Sequence, residues 1–288
     1  METTNSTDTI DTIEHLGRSL IQHGPFNQRI YLMKLDPADM PGIVDDLLRL
    51  AEDQGYTKIT AKVAAPSVEP FLAAGFRHEA YLPGFYPDGT DAFYMGCFLD
   101  PARANTFRYE TVIKVINAAL RKPCCEPPDS PGHELSFREM EEADAPAMSA
   151  LYRRVFATYP FPIFDPGYIV ETMRSHIYYF GLEGPQGLRA LASMETDPAS
   201  GAVEMSDFAT EPAIRGGGAA TFLLGRMEKI AVERGFRLGF SIARSTSYGM
   251  NITFARTGYR YTGTMVNNTN IAGHVESMNV WFKRLAAD

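Results

Sequence analysis

The stretch from residue 201 to residue 224 reads GAVEMSDFATEPAIRGGGAATFLL and contains the strongest fold signal of the chain. Its first ten residues predict a strand that ends at Thr210, and the run from Ala219 to Arg234 predicts a helix with Gly235 at its carboxyl end. Each of the three glycines between them loses more backbone freedom on folding than another residue would. The loop is therefore either a loose turn or a place where a partner comes so close to the backbone that a Cβ atom would collide with it.

A glycine loop between a strand and a helix is suited to an anionic group. The first amides of a helix have no partner inside the helix, and the helix dipole places partial positive charge at the same end. Phosphate oxygens reach these amides when glycine leaves the approach open. The sequence therefore predicts a phosphate-containing ligand at the amino end of the helix that begins at Ala219.

Two common phosphate-binding motifs do not fit this loop. A nucleotide-binding P-loop requires Gly-Lys-Ser/Thr, whereas Gly218 is followed by two alanines. The dinucleotide motif requires glycine or alanine where Thr221 stands, and an acidic residue where the chain has Leu238. What remains is the pattern Arg-x-x-Gly-x-Ala after a strand, formed by Arg215, Gly218 and Ala220.

The composition is that of a globular protein with an acidic surface. The chain has 288 residues, 45% of them hydrophobic and 22% charged, and a formal net charge of -8. This charge argues against nucleic acid or an anionic membrane as a partner, and no apolar run is long enough to span a bilayer. Three cysteines without metal-ligand spacing predict neither a disulfide framework nor a metal site, which fits a cytoplasmic location.

A proline-rich segment divides the chain. Residues 121–134, RKPCCEPPDSPGHE, contain four prolines and predict a linker between a domain at 1–120 and a domain at 135–288. In the second domain strands and helices alternate, so we predict an α/β (α+β) fold around a mixed central sheet. Its predicted strands are Leu135–Met140, His176–Glu183, Leu188–Asp197, Gly201–Thr210, Arg237–Ala243, Tyr259–Asn268 and Val275–Leu285. Its predicted helices are 141–159 with Asp144 as N-cap, Ala219–Arg234 and Ser247–Thr257.

The second domain, from Leu135 to the carboxyl terminus, resembles the GCN5-related N-acetyltransferases in its loop and in the order of its elements. A finer resemblance covers nearly the whole chain: the segments EMSDFATEPAIRGGGAA, YPFPIFDPGY, SYGMNITFARTGY and NNTNIAG…ESMNVW are similar to the beta-lysine N-acetyltransferases. That resemblance implies acetyl transfer from acetyl-CoA to the terminal amine of beta-lysine, which yields the osmolyte N6-acetyl-beta-lysine. Two alternatives stay open: acetylation of another amine, such as an aminoglycoside, a polyamine or a protein lysine, and a non-catalytic coenzyme A sensor.

The first domain resembles the latter half of an acetyltransferase fold. Its predicted elements are a helix at Asp45–Gly55, a strand at Lys58–Ala64, a helix at Pro66–Gly75 and strands at Phe76–Tyr86 and Asp91–Leu99. The same spacing separates Gly75 from Met95 and Gly258 from Met278, which indicates a repeat. The strand and glycine loop that would precede its first helix are missing from the prediction. We therefore expect this domain not to bind coenzyme A and to cover a sheet edge or the acceptor side of the second domain.

The resemblance implies a set of coenzyme A contacts. The loop would hold the pyrophosphate, the amides at the end of the strand would hold the acetyl carbonyl, and the later helix would supply further cofactor contacts. The residues at these positions are Arg215, Gly216, Gly217, Gly218, Ala219 and Ala220 in the loop, Phe208, Ala209 and Thr210 in the strand, and Ser247, Asn251 and Phe254 in the helix.

Acetylation of an amine also requires a proton acceptor, because a lysine-like amine has a pKa of about 10.4. Glu204 is the first candidate and Asp207 the second, since both lie on the strand that leads to the loop. Strand alternation predicts that they point to opposite faces, so that one of them serves. The superfamily often has a tyrosine acid where this chain has Phe254. Tyr248 could replace it, or the thiolate could leave without an acid.

The acceptor pocket is predicted in the segment from Tyr159 to Asp165. Tyr159 and Phe161 could enclose an aliphatic chain, and Asp165 could face an amine. Asn268 and Asn270 could bind a zwitterionic acceptor, although asparagine is also common in turns. A cation for the acceptor carboxylate is not identified, with Arg153 and Arg154 among the candidates. The sequence leaves the oligomeric state open, with a homodimer as one option.

Overall fold

The computed structural model describes residues 11–106, 108–132 and 134–285. The elements before the proline-rich segment are β1 (Thr12–Leu16), β2 (Ser19–Gly24), β3 (Arg29–Lys34), α1 (Ile43–Gln54), β4 (Lys58–Ala64), α2 (Val68–Ala73), β5 (Arg77–Leu82), β6 (Ala92–Phe98) and α3 (Tyr109–Leu120). The elements after it are β7 (Ser136–Glu139), α4 (Ala145–Val155), α5 (Pro166–Met173), β8 (Ile177–Gly184), β9 (Gly187–Asp197), β10 (Ala202–Thr210), α6 (Ala219–Glu233), β11 (Leu238–Arg244), α7 (Tyr248–Arg256), β12 (Arg260–Ile271) and β13 (His274–Arg284).

The strands form two mixed sheets. The first has the order β1-β2-β3-β4-β6-β5 and the second the order β12-β13-β11-β10-β9-β8-β7. Each sheet has a central parallel pair, β3 with β4 and β10 with β11, and its other neighbours are antiparallel. The predicted mixed α/β architecture is confirmed, and the strands predicted in the second half are all present.

The first half is more complete than the sequence predicts. The structure has a strand before α1, because β3 precedes this helix and pairs in parallel with β4. The order β1-β2-β3-β4-β6-β5 therefore repeats the order β8-β9-β10-β11-β13-β12 of the second half. The prediction that this strand is missing is wrong. The strand is hard to recognise in the sequence because β3 is only six residues long and its apolar residues do not alternate regularly. The segment that joins β3 to α1, LDPADMPG, does lack a glycine triplet.

The proline-rich segment contacts helices of the second half. Pro127 lies against α6 at Gly225, where any Cβ atom would collide with the proline ring. The helix before this segment, α3, packs against α7 of the second half. The division into 1–120, 121–134 and 135–288 stays a prediction. The cysteines at 97, 124 and 125 are free.

The amino end of α4 differs from the prediction. Asp144 directly precedes the helix, but its side chain does not cap it. The carboxylate instead accepts a hydrogen bond from the Glu141 amide at 2.8 Å and from Arg138 at 2.6 Å. The reason is a short helical turn at 142–144 that precedes α4. Asp144 is the last residue of the capping box of this turn, so its carboxylate binds the Glu141 amide and not an amide of α4.

The two halves meet where the edge strands β5 and β12 cross. Gly263 of β12 approaches β5 so closely that a Cβ atom would lie 2.7 Å from Ala80 Cα. Beside it, the buried pair of Lys58 and Glu79 (Nζ–Oε2 2.8 Å) is bound to both the carbonyl and the amide of Val266 at 2.6 and 2.7 Å. Apolar side chains of both halves form one core cluster around this contact. The orientation of the first half on the second is therefore held by buried contacts.

Candidate active site

One cavity of about 970 Å³ runs between the two halves. It reaches the glycine loop before α6, and strands of the first half also line it, with Tyr31 and Lys62 among the lining residues. That the first half covers the acceptor side stays a prediction.

The cavity enters the second sheet where β10 and β11 separate. Their parallel pairing runs from Ala202 to Glu204 on β10, and β10 then continues to Thr210 paired only with β9 among the described residues. Backbone groups of β10 beyond Glu204 on the β11 side are thus available to a ligand. Phe208 and Thr210 line the cavity here, whereas the side chain of Ala209 is buried in the core on the α4 side.

The glycine loop has room for a phosphate group. Gly218 is the N-cap residue of α6 with a φ of 86°, and Gly216 has a φ of 83°, both in the left-handed region that favours glycine. A Cβ atom built on either would meet no heavy atom within 4 Å, so the space above the loop is open. Because glycine has no side chain to cap the helix, the first-turn amides of α6 keep their hydrogen-bonding capacity. These residues fit the diphosphate of coenzyme A.

The remaining loop residues support this arrangement. Arg215 lines the cavity, and its Nε donates to the Thr210 carbonyl at 3.0 Å, which ties the loop to the end of β10. Ala219 and Ala220 line the cavity at the start of α6. Gly217 does not line it, and its amide donates back to Ile214 at 3.4 Å.

A β-bulge brings Asp207 to the same face as Glu204. Residues Ser193 and Glu195 of β9 are paired with Ser206 and Glu204 of β10, so these four side chains share one face of the sheet. Asp207 has a φ of 53°, and the register shifts between Ser206 and Ala209. Its carboxylate consequently accepts hydrogen bonds from Ser193 at 2.9 Å and Ser206 at 3.4 Å. The predicted opposite orientation of the two carboxylates is wrong, because the extra residue of a bulge resets strand alternation.

The two carboxylates have different surroundings. Glu204 is half-buried and lines the cavity. Burial raises its pKa to about 7, with Lys62 lowering the pKa and Asp207 raising it. Asp207 is bound by Ser193, Ser206 and the hydroxyl of Tyr159. Burial raises the pKa of Asp207 too, against the lowering effect of these hydrogen bonds. A pKa near neutrality suits a proton acceptor. Of the two carboxylates, Glu204 has this pKa, and none of the described side chains donates a hydrogen bond to it.

Several charged residues of the cavity were not predicted from the sequence, and Glu195 and Lys62 are two of them. Glu195 lies directly opposite Glu204, and Lys62 faces the cavity from β4 of the first half. Glu195 is embedded in an apolar strand sequence, and Lys62 lies far away along the chain. A charge within an otherwise apolar strand was the available signal for both residues.

Helix α7 brings two of its three predicted residues to the cavity. Ser247 lines the cavity and caps the helix, and Phe254 lines it while packing edge-on against Phe208. Asn251 is fully buried away from the cavity. Its amide group donates to two backbone carbonyls and accepts from Asn279 and Trp281, so the predicted cofactor contact of Asn251 is wrong.

Tyr248 is the residue that could have replaced the absent tyrosine acid. Its side chain is 45% exposed, and it is not among the described residues that line the cavity. Its position on the outer surface of α7 makes it a poor proton donor to a group inside the cavity.

The predicted acceptor residues separate into two groups. Tyr159 and Phe161 line the cavity, and Tyr159 donates a hydrogen bond to Asp207. Asp165 does not line it, because its carboxylate caps α5 through the Gly167 amide at 2.9 Å. Asn268 lines the cavity but accepts from Thr60 of the first half at 2.6 Å. Asn270 lies outside it and donates to the Phe26 carbonyl at 3.0 Å, so the two asparagines join the halves. The predictions for Asp165 and Asn270 are therefore wrong.

Two further findings bear on the site and its setting. In the described part of the chain no group of three or more histidine, cysteine, aspartate or glutamate side chains is placed to hold a metal ion. None of the helices within residues 11–106, 108–132 and 134–285 is long and apolar enough to cross a bilayer.

The chain resembles N-acetyltransferases, both among solved structures and among its sequence relatives. Among solved structures, the ribosomal-protein-S18-alanine N-acetyltransferase of Escherichia coli aligns with 54% of this chain and 96% of its own at 14% identity and a TM-score of 0.47. A ribosomal L7/L12 alpha-N-protein acetyltransferase solved with coenzyme A aligns with 55% of this chain and 98% of its own at 16% identity and a TM-score of 0.47.

Relatives of full length identify the family. The beta-lysine N(6)-acetyltransferase of Methanococcus maripaludis is 36% identical over 274 residues, which cover 95% of this chain and 99% of the relative. The beta-lysine N(6)-acetyltransferase of Methanosarcina mazei is 30% identical, over 84% of this chain and 97% of the relative. N-acetyltransferase YodP of Bacillus subtilis is 34% identical, over 93% of this chain and 96% of the relative. No protein-family model matches the chain. The chain belongs to the beta-lysine N(6)-acetyltransferase family.

Proposed function

We propose that this protein transfers the acetyl group of acetyl-CoA to the terminal amine of beta-lysine and so forms N6-acetyl-beta-lysine. The observation that carries the proposal is Glu204, a half-buried carboxylate in one cavity with an open glycine loop. Relatives that are 36% and 30% identical have this activity in their names. The loop suits the anionic end of coenzyme A, and the carboxylates at the other end of the cavity suit a cationic acceptor.

Acetyl-CoA binding is assigned to the loop and the opened strand. The amides of Gly216, Gly218, Ala219 and Ala220 hold the pyrophosphate, because they lie at the positive end of the α6 dipole and line the cavity. The backbone of Phe208, Ala209 and Thr210, beside the gap between β10 and β11, holds the acetyl carbonyl. The amides there would stabilise the negative charge that develops on the thioester oxygen.

Glu204 acts as the proton acceptor in this proposal. The acceptor amine is an ammonium group at neutral pH, and it first gives one proton to Glu204. The neutral nitrogen then attacks the thioester carbonyl carbon, the carbon–nitrogen bond forms and the carbon–sulfur bond breaks. Coenzyme A leaves as a thiolate, which the thiol pKa of about 8.5 makes a tolerable leaving group; it takes up the second nitrogen proton by way of water, and Glu204 returns its proton to solvent. Asp207 orients Tyr159 beside the reacting groups through its hydrogen bond.

The experiment that tests the proposal is release of free thiol from acetyl-CoA with three acceptors: beta-lysine, alpha-lysine and spermidine. We expect the highest kcat/KM with beta-lysine. A preference for spermidine would assign the protein to polyamine acetylation. Binding of acetyl-CoA in calorimetry without thiol release for any of these acceptors would contradict the proposal and favour a coenzyme A sensor.

A further inference from the structure

Glu195 and Glu204 form a pair of neighbouring carboxylates in the cavity. They are directly opposite each other on β9 and β10, where like charges destabilise a sheet. The ion pairs among the described residues include neither of them. Burial, together with the negative charges of Glu204 and Asp207, raises the pKa of Glu195 well above its usual range. A ligand with positive charge would relieve this repulsion.

Lys62 brings the opposite charge to the same part of the cavity. It belongs to β4 of the first half, lines the cavity, and has its Nζ 5.1 Å from the ring centroid of Phe85. None of the described carboxylates forms an ion pair with Lys62. The negative charges of Asp197, Glu204 and Glu195 nevertheless raise its pKa. Burial lowers the pKa of Lys62. A desolvated ammonium group of this kind gains from a carboxylate supplied by a ligand.

The two arginines considered as carboxylate ligands are used elsewhere. Arg153 donates to Ser149 at 2.7 Å and to the Phe164 carbonyl, and Arg154 forms an ion pair with Glu211 at 3.3 Å. Neither lines the cavity within the described residues. Lys62 is therefore better placed than either of them to meet the carboxylate of an acceptor.

We infer that Glu195 and Lys62 form the subsite for the charged head of the acceptor. Glu195 binds the second ammonium group, Lys62 binds the carboxylate, and Glu204 faces the amine that is acetylated. The inference rests on the proposed function. Glu204 takes the reacting amine because it lies on the strand that leads to the glycine loop, whereas Glu195 is one strand farther away. The subsite thus selects an amino acid with a second amine, and the first half supplies part of the selection.

Three acceptors separate the contributions of the two residues. Beta-lysine carries both head groups, 6-aminohexanoate lacks only the second amine, and 1,4-diaminopentane lacks only the carboxylate. We expect the wild-type protein to prefer beta-lysine over each truncated acceptor by about 10²-fold in kcat/KM, the size typical of a buried charge pair. A wild-type preference below about threefold for both comparisons would overturn the inference without any variant.

Variants of Glu195 and Lys62 test which of the two residues binds the second amine of the acceptor and which binds its carboxylate. Glu195→Gln should lower the preference for beta-lysine over 6-aminohexanoate by about 10²-fold, and Lys62→Gln should do the same for the preference over 1,4-diaminopentane. Each ratio cancels effects on Glu204, because both acceptors in it use the same proton acceptor. Lys62→Arg, which keeps the charge, should recover part of the preference. Arg256→Gln, a charge change on the α7 wall of the same cavity, is the matched control and should leave both ratios within about threefold.

A failure of the inference can be distinguished from a failure of the proposed function. Equal losses with all three acceptors in Glu195→Gln and Lys62→Gln, with acetyl-CoA binding intact by calorimetry, would show that these residues do not read the head groups and would overturn the inference. Thiol release by the wild-type protein with none of the three acceptors would instead overturn the proposed function, and the inference with it.

Discussion

Glu204 and Asp207 share a face of the sheet, and their partners give them different roles. Asp207 accepts three hydrogen bonds from side chains, whereas none of the described side chains donates to Glu204 at hydrogen-bond distance. We expect Glu204→Gln to lower kcat about 10²-fold or more with little change in the KM for acetyl-CoA, because it removes a base and keeps the shape. Asp207→Asn is the matched control and should chiefly raise the acceptor KM. The reverse result would make Asp207 the base.

The pH profiles of the wild-type protein and of Glu204→Gln provide a second test of the role of Glu204. Burial raises the pKa of Glu204 to about 7, so the carboxylate is ionised and able to accept a proton only above that pH. The kcat/KM of the wild-type protein should therefore rise through pH 7. In Glu204→Gln this limb should disappear, and the rise that remains should follow the free amine near a pKa of about 10.4.

Phe254 occupies the place where the superfamily often has a tyrosine, and Tyr248 is exposed on the same helix. Tyr248→Phe keeps the ring and deletes only the proton, so we expect turnover within about threefold of wild type, below the roughly 10²-fold loss of a true general acid. The wild-type profile should also lack a descending limb near pH 10, where a required phenol would ionise. A loss near 10²-fold with acetyl-CoA binding intact would show that thiolate departure is assisted by Tyr248.

The junction of β10, the glycine loop and α6 is the element on which coenzyme A binding depends. Gly218→Asp should abolish acetyl-CoA binding in calorimetry, because it places a side chain and a negative charge in the open space above the first helical turn. Gly235→Asp is the matched control: Gly235 has a φ of 87°, close to the 86° of Gly218, and also faces open space, but it lies at the other end of the same helix. The two variants carry similar backbone strain, so a shared loss of affinity would contradict the assignment.

The two halves act together because the wall of the acceptor end comes from the first half. Gly263→Ala should place a Cβ atom 2.7 Å from Ala80 Cα and push β12 away from β5. We expect the free energy of unfolding, measured in urea, to fall by about 1–3 kcal/mol. The KM for the acceptor should rise while the affinity for acetyl-CoA changes little, since the glycine loop lies at the other end of the cavity.

Gly273 offers a control for this variant at the turn between β12 and β13. It has a φ of 90° and no heavy atom within 4 Å of a Cβ position, so Gly273→Ala should cost about 1–2 kcal/mol of backbone strain and leave the acceptor KM unchanged. Equal acceptor KM values in the two variants would show that the contact between β5 and β12 does not shape the acceptor end.

Local sequence was sufficient for the strands of the second half and for the position of the glycine loop. Helix and strand periods, with glycine and proline at their ends, predicted the strands of the second half and the loop at Gly216–Gly218, because these signals arise from neighbours along the chain. The phenylalanine at position 254, where the superfamily often has a tyrosine, was also evident from its position in the sequence. The family resemblance that these segments indicated is confirmed by relatives over nearly the full length.

Tertiary structure decided the acceptor end. The bulge at Asp207 reverses the orientation expected from alternation, and the pairing of β9 with β10 brings Glu195 opposite Glu204. The packing of β5 on β12 carries Lys62 to the same cavity, while Asn251 turns into the core. Each of these outcomes depends on which distant strands become neighbours. A period of two or 3.6 residues describes only the orientation of a side chain on its own element, so it cannot contain that information.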